Sequence, residues 1–200
     1  MNHLLPPWRP RNRFFAMRHG ESQANRLGLI VSSPRIGIPG YGLSDTGREQ
    51  VRQRILHETR LDADTLIYSS DFKRALETAR IVHEHLTCRR PVETHPALRE
   101  RFFGELEGED HRHYRQVWEA DRRDARHTEH GVESVIMVMA RVTALVRELD
   151  RAWEDRGILL VAHGDVLQIL QTAFQGEIPE RHRELAHLDT AEIRELALRP

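Results

Sequence analysis

The sequence predicts an α/β protein with three layers, in which helices cover both faces of a mainly parallel central sheet. Two observations support this prediction. Short apolar segments alternate with longer segments that have helical spacing of apolar residues. In addition, each strongly apolar segment stops at polar residues, as strands do where they leave a buried sheet. A chain of 200 residues can bury one hydrophobic core of ordinary size.

Apolar runs and alternation of apolar and polar residues locate the predicted strands. Residues 158–162 form the most apolar run, which is typical of a strand buried on both faces. Residues 191–198 alternate between apolar and polar, which indicates a half-exposed strand at the end of the chain. The complete set of predicted strands is 13–17, 66–70, 91–93, 158–162 and 191–198.

Helical periodicity predicts the segments that cover the sheet. Thr46 and Glu49 have the spacing of a capping box, which places a helix start at Thr46. Gly157 is expected to end the longest helix. The segment 27–43 is rich in glycine and proline and is predicted to be a long irregular loop. The predicted helices are 46–59, 72–86, 114–126, 132–153 and 166–174.

Composition restricts the possible classes of protein. Residues 1–12 contain three prolines and several charges, and we expect a flexible leader there, followed by a single domain over residues 13–200. No segment has the apolar run of a signal peptide or of a membrane span. The only cysteine, Cys88, excludes an internal disulfide and fits a reducing compartment, so a cytoplasmic protein is expected. A net charge of -1 gives no reason to expect nucleic-acid binding, and a homodimer remains open.

Positively charged and nucleophilic side chains follow separate predicted strands. Arg18 and His19 follow the first strand, Arg74 lies one helical turn beyond the second, and His163 follows the strand 158–162. The carboxyl ends of parallel strands meet at one edge of a sheet, so these side chains are expected to converge there. Guanidinium groups match the oxygens of a phosphoryl group, and a neutral imidazole can attack phosphorus. The pattern therefore predicts phosphoryl transfer with His19 as the nucleophile.

A general acid is needed to protonate the leaving alcohol. Glu100 is the candidate because it follows the third strand region and enters a loop that contains glycine. To act as an acid near neutral pH, its pKa must be raised, which burial favours and nearby arginines oppose. Glu105 and Glu107 are the competing carboxyl groups.

The motif Arg-His-Gly-Glu-Ser at residues 18–22 resembles the signature of the histidine phosphatase superfamily, also called the phosphoglycerate mutase-like family. Further similar blocks follow in the family's order at residues 42–47, 68–79, 98–108, 131–134 and 161–164. The resemblance implies a phosphoglycerate mutase-like fold and no metal or other cofactor. It also implies the residue roles. His19 becomes phosphohistidine, Arg18, Arg74 and His163 hold the phosphoryl group with help from Ser22 and Asn25, and Glu100 donates the proton.

Departures from the mutase branch favour hydrolysis. Ala24 precedes Asn25 where that branch usually has tryptophan, no lysine follows the block 103–108, and no proline run precedes the long helix. The sequence therefore predicts a metal-independent phosphomonoester hydrolase that acts on a small phosphorylated molecule. The alternatives are a cofactor-dependent phosphoglycerate mutase and, from a different class, a binding module without activity. Asp189-Thr190 replaces the asparagine usual near the last strand.

Other residues have simpler interpretations. Gly164 follows His163 and leaves room for a ligand close to the backbone, as Gly20 does after His19. The histidine pairs at 83/85 and 111/113 lack further ligands, so no zinc site is predicted. Trp8, Trp118 and Trp153 are expected to be packing residues. The arginine-rich segment 112–126 is expected to be a solvated helix face, with recognition of an acidic substrate as the alternative.

Overall fold

The computed structural model describes residues 1–199, which contain one five-stranded sheet. Its order is β3-β2-β4-β1-β5. The first four strands in that order are parallel, and β5 pairs antiparallel with β1 at the edge. The predicted mainly parallel sheet is therefore confirmed. The strands are β1 (Arg13–Arg18), β2 (Leu66–Ser69), β3 (Glu93–Thr94), β4 (Gly157–Ala162) and β5 (Ile193–Leu196).

The pairing of β1 with β4 positions the two predicted histidines. Arg18 is level with Ala162 in the parallel register, and the backbone N–H of His19 donates to the Ala162 carbonyl at 3.1 Å. His19 and His163 are the next residues of their strands. Because both strands run in the same direction, the two imidazoles emerge side by side at the carboxyl edge of the sheet.

Helices cover both faces of this sheet, which confirms the three-layer arrangement. On one face, residues of α3 and α4 pack against Phe15, Met17 and Leu159. On the other face, residues of α6 and α7 pack against Phe14 and Leu160. The helices are α1 (Gln23–Leu27), α2 (Pro34–Gly37), α3 (Asp45–Leu56), α4 (Lys73–Leu86), α5 (Tyr114–Arg123), α6 (Val135–Ala152) and α7 (Gly164–Phe174).

Two predicted helix-capping residues were wrong. Ser44 caps α3 instead of Thr46, because the Ser44 hydroxyl accepts the backbone N–H of Gly47 at 2.9 Å. The long helix α6 ends at Ala152, and Gly157 begins β4 instead of ending the helix. In both cases the helix terminus lies at a residue a few positions away from the predicted one. Local spacing alone does not distinguish the two residues.

The first twelve residues pack against the core, which differs from the predicted flexible leader. Leu4 and Trp8 are buried, and the Trp8 indole donates to Asp150 Oδ2 at 3.0 Å. The Asn12 amide donates to Asp150 Oδ1, also at 3.0 Å. One buried carboxylate of α6 thus anchors this segment through two side chains. Within residues 1–199, no helix has the length and apolar character to cross a membrane.

A third, smaller apolar cluster lies apart from the two sheet faces. It contains Ile30, Phe103, Leu106, Val117 and Val132. This cluster joins α5 to the segment 27–43, so the predicted irregular loop has a fixed position. Ser32 and Ser33 strengthen the join, because their backbone N–H groups donate to Glu107 Oε2 at 2.7 and 3.0 Å.

Candidate active site

A cavity of about 220 Å³ opens at the carboxyl edge of the sheet. Residues from β1, α1, α4, α5 and α7 line it, together with the loop that contains Glu100. Of the residues predicted from the sequence, those that line this cavity are Arg18, His19, Ser22, Asn25, Arg74, Glu100 and Gly164. His163 lies behind Arg74 and is in hydrogen-bond contact with it.

His19 is buried and held in one tautomer. Its Nδ1 lies 2.7 Å from the carbonyl oxygen of Gly20, so Nδ1 carries the proton and donates it to this acceptor. Its Nε2 accepts a hydrogen bond from Arg74 Nε at 3.0 Å. Burial, followed by the charges of Arg74 and Arg18, lowers the pKa of His19 well below its ordinary value. The imidazole is therefore neutral, and its Nε2 lone pair is the one that accepts from Arg74.

Arg74 connects the two histidines. Its Nε also donates to His163 Nδ1 at 3.2 Å, and its Nη2 donates to the Val31 carbonyl at 2.9 Å. Since His163 Nδ1 accepts, the proton resides on Nε2, which donates to Ser70 Oγ at 2.9 Å. Burial and the Arg74 charge lower the pKa of His163 well below its ordinary value. In this arrangement His163 positions the Arg74 guanidinium, and its direct contact with a phosphoryl group stays a prediction.

Two buried guanidinium N–H groups have no acceptor among the described residues. They are Arg18 Nε and Arg74 Nη1. A buried donor without an acceptor costs about 1–3 kcal/mol, so such groups need a partner. Both side chains line the same cavity as His19. An oxyanion with several acceptor oxygens, such as a phosphoryl group, fits this pair of donors.

Glu100 occupies the same cavity and is nearly fully buried. Burial, followed by the charge of Asp165, raises the pKa of Glu100 to about 7, against the opposing effect of Arg74. The competing carboxyl groups point elsewhere. The side chain of Glu105 is 79% exposed, and Glu107 binds Ser32 and Ser33. Among these three carboxyl groups, Glu100 alone lines the cavity.

Ser22 and Asn25 cap α1 and also line the cavity. The Ser22 hydroxyl accepts the backbone N–H of Asn25 at 3.2 Å, and Asn25 Oδ1 accepts the N–H of Ser22 at 3.0 Å. This reciprocal pair uses the amide oxygen of Asn25. The amide nitrogen of Asn25 remains a donor for a ligand, so both capping and ligand contact are compatible with the geometry.

The two glycines that follow the histidines differ in their surroundings. Gly164 lines the cavity, and an added Cβ there would lie 3.3 Å from the His187 ring and 3.6 Å from the Arg18 guanidinium. At Gly20, by contrast, an added Cβ would collide with the backbone carbonyl of Gly47 at the start of α3. Gly20 is therefore needed for close packing of two backbone segments, which corrects the expectation that it makes room for a ligand.

Comparison with known proteins decides the family. The model of the histidine phosphatase superfamily (branch 1) matches residues 14–200. The chain belongs to the histidine phosphatase superfamily. The predicted resemblance is thereby confirmed, and the protein is a phosphoryl-transfer enzyme of this family.

Relatives of this histidine phosphatase include enzymes with named substrates. The glucosyl-3-phosphoglycerate phosphatase of Mycolicibacterium vanbaalenii is 33% identical over 180 residues, which cover 82% of this chain and 74% of the relative. The adenosylcobalamin/alpha-ribazole phosphatase of Escherichia coli is 30% identical over 167 residues, which cover 79% and 76%. The structure of a mycobacterial glucosyl-3-phosphoglycerate phosphatase in complex with VO3 aligns with a TM-score of 0.76 and 29% identity, covering 92% of this chain and 91% of that one.

Several cavity residues of this histidine phosphatase were not predicted from the sequence. Tyr114 and Trp118 of α5 line the cavity, so the expectation that Trp118 is only a packing residue was incomplete. Asp165, on the first turn of α7, also lines it. The helical spacing of Tyr114 and Trp118, which puts them on one face, was the available signal. It indicates an inner face but not what that face covers.

His187 is a further cavity residue that the sequence did not indicate. Its Nε2 lies 2.9 Å from Arg18 Nη1, which also donates to the Leu188 carbonyl at 3.0 Å. Partial burial and the Arg18 charge lower the pKa of His187 to about 4. The neutral ring accepts from Arg18 and so helps to orient its guanidinium toward the cavity. His187 is one of thirteen histidines and lies outside any motif, so nothing in the sequence indicates this role.

Within residues 1–199, no group of three or more histidine, cysteine, aspartate or glutamate side chains is arranged to hold a metal ion. His83 Nε2 lies 3.0 Å from the Arg90 carbonyl oxygen. In the arginine-rich segment, Arg112 and Arg115 are exposed and pair with nearby carboxylates at 2.9 and 2.8 Å.

Proposed function

We propose that this histidine phosphatase is a phosphomonoester hydrolase in which His19 Nε2 attacks phosphorus and Glu100 protonates the leaving alcohol, without a metal ion. The observation that carries the proposal is the set of side chains that line one cavity. It contains a neutral imidazole, a carboxyl group with a pKa of about 7, and two guanidiniums with unpaired buried donors. A nucleophile, an acid and a binding site for an oxyanion are the three parts that such a reaction needs.

The first step forms a bond between His19 Nε2 and phosphorus and breaks the bond from phosphorus to the alcohol oxygen. Arg74 Nε, which donates to His19 Nε2 in this structure, is free to donate to a phosphoryl oxygen when substrate enters. The Nε2 lone pair is thereby released for attack. The hydrogen bond from Nδ1 to the Gly20 carbonyl stabilises the positive charge that develops on the ring.

Glu100 supplies the proton to the alcohol oxygen as the bond to phosphorus breaks. Its carboxylate then takes a proton from water, and the water oxygen bonds to phosphorus as the bond from phosphorus to His19 Nε2 breaks. Inorganic phosphate leaves, and His19 and Glu100 return to their starting states. A pKa of about 7 suits both directions of proton transfer near neutral pH.

Hydrolysis is supported over mutase chemistry by the sequence departures at residues 24 and 103–108. The cavity of about 220 Å³ fits a small phosphorylated molecule. A cytoplasmic location is the compartment we propose, since the only cysteine, Cys88, is a buried free thiol.

A rapid-quench experiment with a ³²P-labelled alkyl phosphate tests the proposal. We expect an acid-labile, base-stable phosphoenzyme in the wild type with or without EDTA, and none in His19→Ala. His85→Ala is the matched control, because His85 is an exposed residue of α4 outside the cavity. Hydrolysis by the wild type without such an intermediate would overturn the mechanism. Isomerisation of phosphoglycerates that depends on a bisphosphate primer, without net phosphate release, would identify a mutase instead.

A further inference from the structure

The cavity beyond the phosphoryl-binding residues has an apolar and aromatic wall. Phe103 and Tyr114 pack edge to face with ring centroids 4.7 Å apart, and Tyr114 and Trp118 stack at 5.5 Å with an angle of 11°. Leu29 and Val31 line the same cavity from the segment 27–43. A leaving group bound to phosphorus at His19 would contact these side chains.

This aromatic wall is held in place before any ligand binds. The Trp118 indole donates to Asp165 Oδ1 at 3.0 Å, and the Arg183 guanidinium covers its ring at 3.8 Å. A buried ion pair anchors α5 from below, with Arg101 Nη1 and Nη2 donating to Asp121 at 2.6 and 2.8 Å. A wall with fixed side chains needs little ordering when it binds a flat apolar group.

The charges of the cavity disfavour a second anionic group on the substrate. Among the described residues that line it, the guanidiniums are Arg18 and Arg74, and both lie at the phosphoryl end. Arg183 is already engaged, because its Nη1 donates to Asp165 Oδ1 at 3.2 Å.

The carboxylate of Asp165 lies on the leaving-group side. Although burial opposes it, the charges of Arg101 and Arg183 hold the pKa of Asp165 below its ordinary value. Asp165 therefore stays ionised and pairs with Arg101 and Arg183, so no unpaired guanidinium among the described residues on this side is available to an anionic leaving group. His111 also lines the cavity on this side, and it is an exposed residue at the rim.

We infer that the site selects phosphomonoesters whose alcohol is apolar, preferably aromatic, and carries no second negative charge. This inference rests on the proposed function, since it concerns the leaving group of the same reaction. The aromatic wall supplies the attraction, and the pairing of Arg183 with Asp165 leaves a second anionic group without a counterion.

Three synthetic esters test the inference: benzyl, ethyl and 4-carboxybenzyl phosphate. Their leaving alcohols need the same protonation, so differences in kcat/KM report the contacts of the leaving group. We expect benzyl phosphate to exceed ethyl phosphate by at least about tenfold because its ring is buried. We also expect it to exceed the carboxybenzyl ester by at least about tenfold, because the second carboxylate would be removed from water without a counterion.

Substitutions in the wall separate the two effects. Trp118→Ala should reduce the benzyl-to-ethyl ratio of kcat/KM several-fold, whereas Trp118→Phe, which keeps a ring without the indole N–H, should retain most of it. Asp165→Asn should raise the kcat/KM for the carboxybenzyl ester relative to benzyl phosphate. Circular dichroism melts of each variant confirm that the ratios come from folded protein.

The outcomes distinguish this inference from the proposed function. Equal kcat/KM for the three esters, or a preference for the carboxybenzyl ester, would overturn the inference while phosphate release through His19 still stands. If wild-type protein releases no phosphate from any ester, the proposed function fails first. Unchanged ratios in folded Trp118→Ala would also overturn the assignment of the wall.

Discussion

The two halves of the cavity are built in different ways. In the phosphoryl half, side chains emerge from strand ends whose positions depend on backbone hydrogen bonds, such as that from the His19 N–H to the Ala162 carbonyl at 3.1 Å. In the leaving-group half, α5 and the segment 27–43 depend on side chains. Glu107 binds the backbone of Ser32 and Ser33, and Arg101 binds Asp121.

This difference separates the residues that carry out the reaction from the residues that select the substrate. A sheet keeps its backbone bonds under most substitutions, so the phosphoryl half tolerates changes elsewhere in the chain. A few buried polar side-chain contacts hold the leaving-group half in place, and a single substitution can remove any one of them. Substitutions in the first half are therefore expected to affect all substrates equally, and substitutions in the second half to affect substrates differently.

The largest expected effect tests the phosphoryl half. Arg74→Gln should lower kcat/KM by about 10³-fold, because it removes a charge and donors placed where phosphoryl charge develops. The loss should be equal for benzyl and ethyl phosphate, as measured by steady-state phosphate release. A loss that differs tenfold between the two esters would show that the two halves are not separate.

Glu100→Gln tests the boundary between the halves. It should lower kcat/KM for an alkyl phosphate by about 10²-fold, but only a few-fold for p-nitrophenyl phosphate, whose leaving group needs no proton. The protonated form of Glu100 exists below its pKa of about 7 and is lost above it. The kcat/KM of the wild type for the alkyl ester should therefore fall as pH rises above about 7.

That pH dependence should disappear in Glu100→Gln, because the amide does not titrate. Glu105→Gln is the matched control, since the Glu105 side chain is 79% exposed and outside the cavity. An unchanged alkaline limb in Glu100→Gln would assign the titration to a different group.

A smaller effect is expected at His187, which positions Arg18. Loss of one hydrogen bond of ordinary strength corresponds to about five- to tenfold, so His187→Ala should weaken inhibition by inorganic phosphate by this factor. The change should appear in KM more than in kcat, since Arg18 retains its bond to the Leu188 carbonyl. A fall in kcat alone would contradict a positioning role.

The smallest effect is expected on the outer face of α5. The Arg115 side chain is 85% exposed and pairs with Glu119 at 2.8 Å. Exposed pairs of this kind contribute little, so Arg115→Ala should change kcat/KM by less than about twofold for each ester. A selective loss for the carboxybenzyl ester would instead assign the arginine-rich segment to recognition of acidic substrates.

The sequence predicted that Arg18, His19 and Arg74 converge, because motif and strand end coincide there. His19, Arg18 and Arg74 follow apolar runs in the sequence, and the structure brings them into one cavity. The parallel arrangement followed from the alternation of strands and helices, whereas the order β3-β2-β4-β1-β5 was not predicted. The antiparallel edge strand β5 was predicted as a strand, but its direction depends on how the last segment returns to β1.

The leaving-group half could not be predicted in this way. Trp118 and Asp165 come from two segments whose approach depends on tertiary contacts, including the stack of Arg183 on the Trp118 ring. The packing of the first twelve residues was missed for a related reason. Their composition indicates disorder, whereas the partner of Trp8 and Asn12 is Asp150, far away in the sequence.

The contact between Gly20 and Gly47 restricts the substitutions that these two positions can accept. A Cβ at Gly20 would meet the Gly47 carbonyl, and a Cβ at Gly47 would meet the backbone of Glu21. Each obstacle is main chain, so no change of side chain at the other position relieves it. No second substitution at one glycine can therefore compensate for a substitution at the other. The loop that begins with His19 and the start of α3 can diverge only by moving as one unit, while the aromatic wall opposite is open to stepwise change.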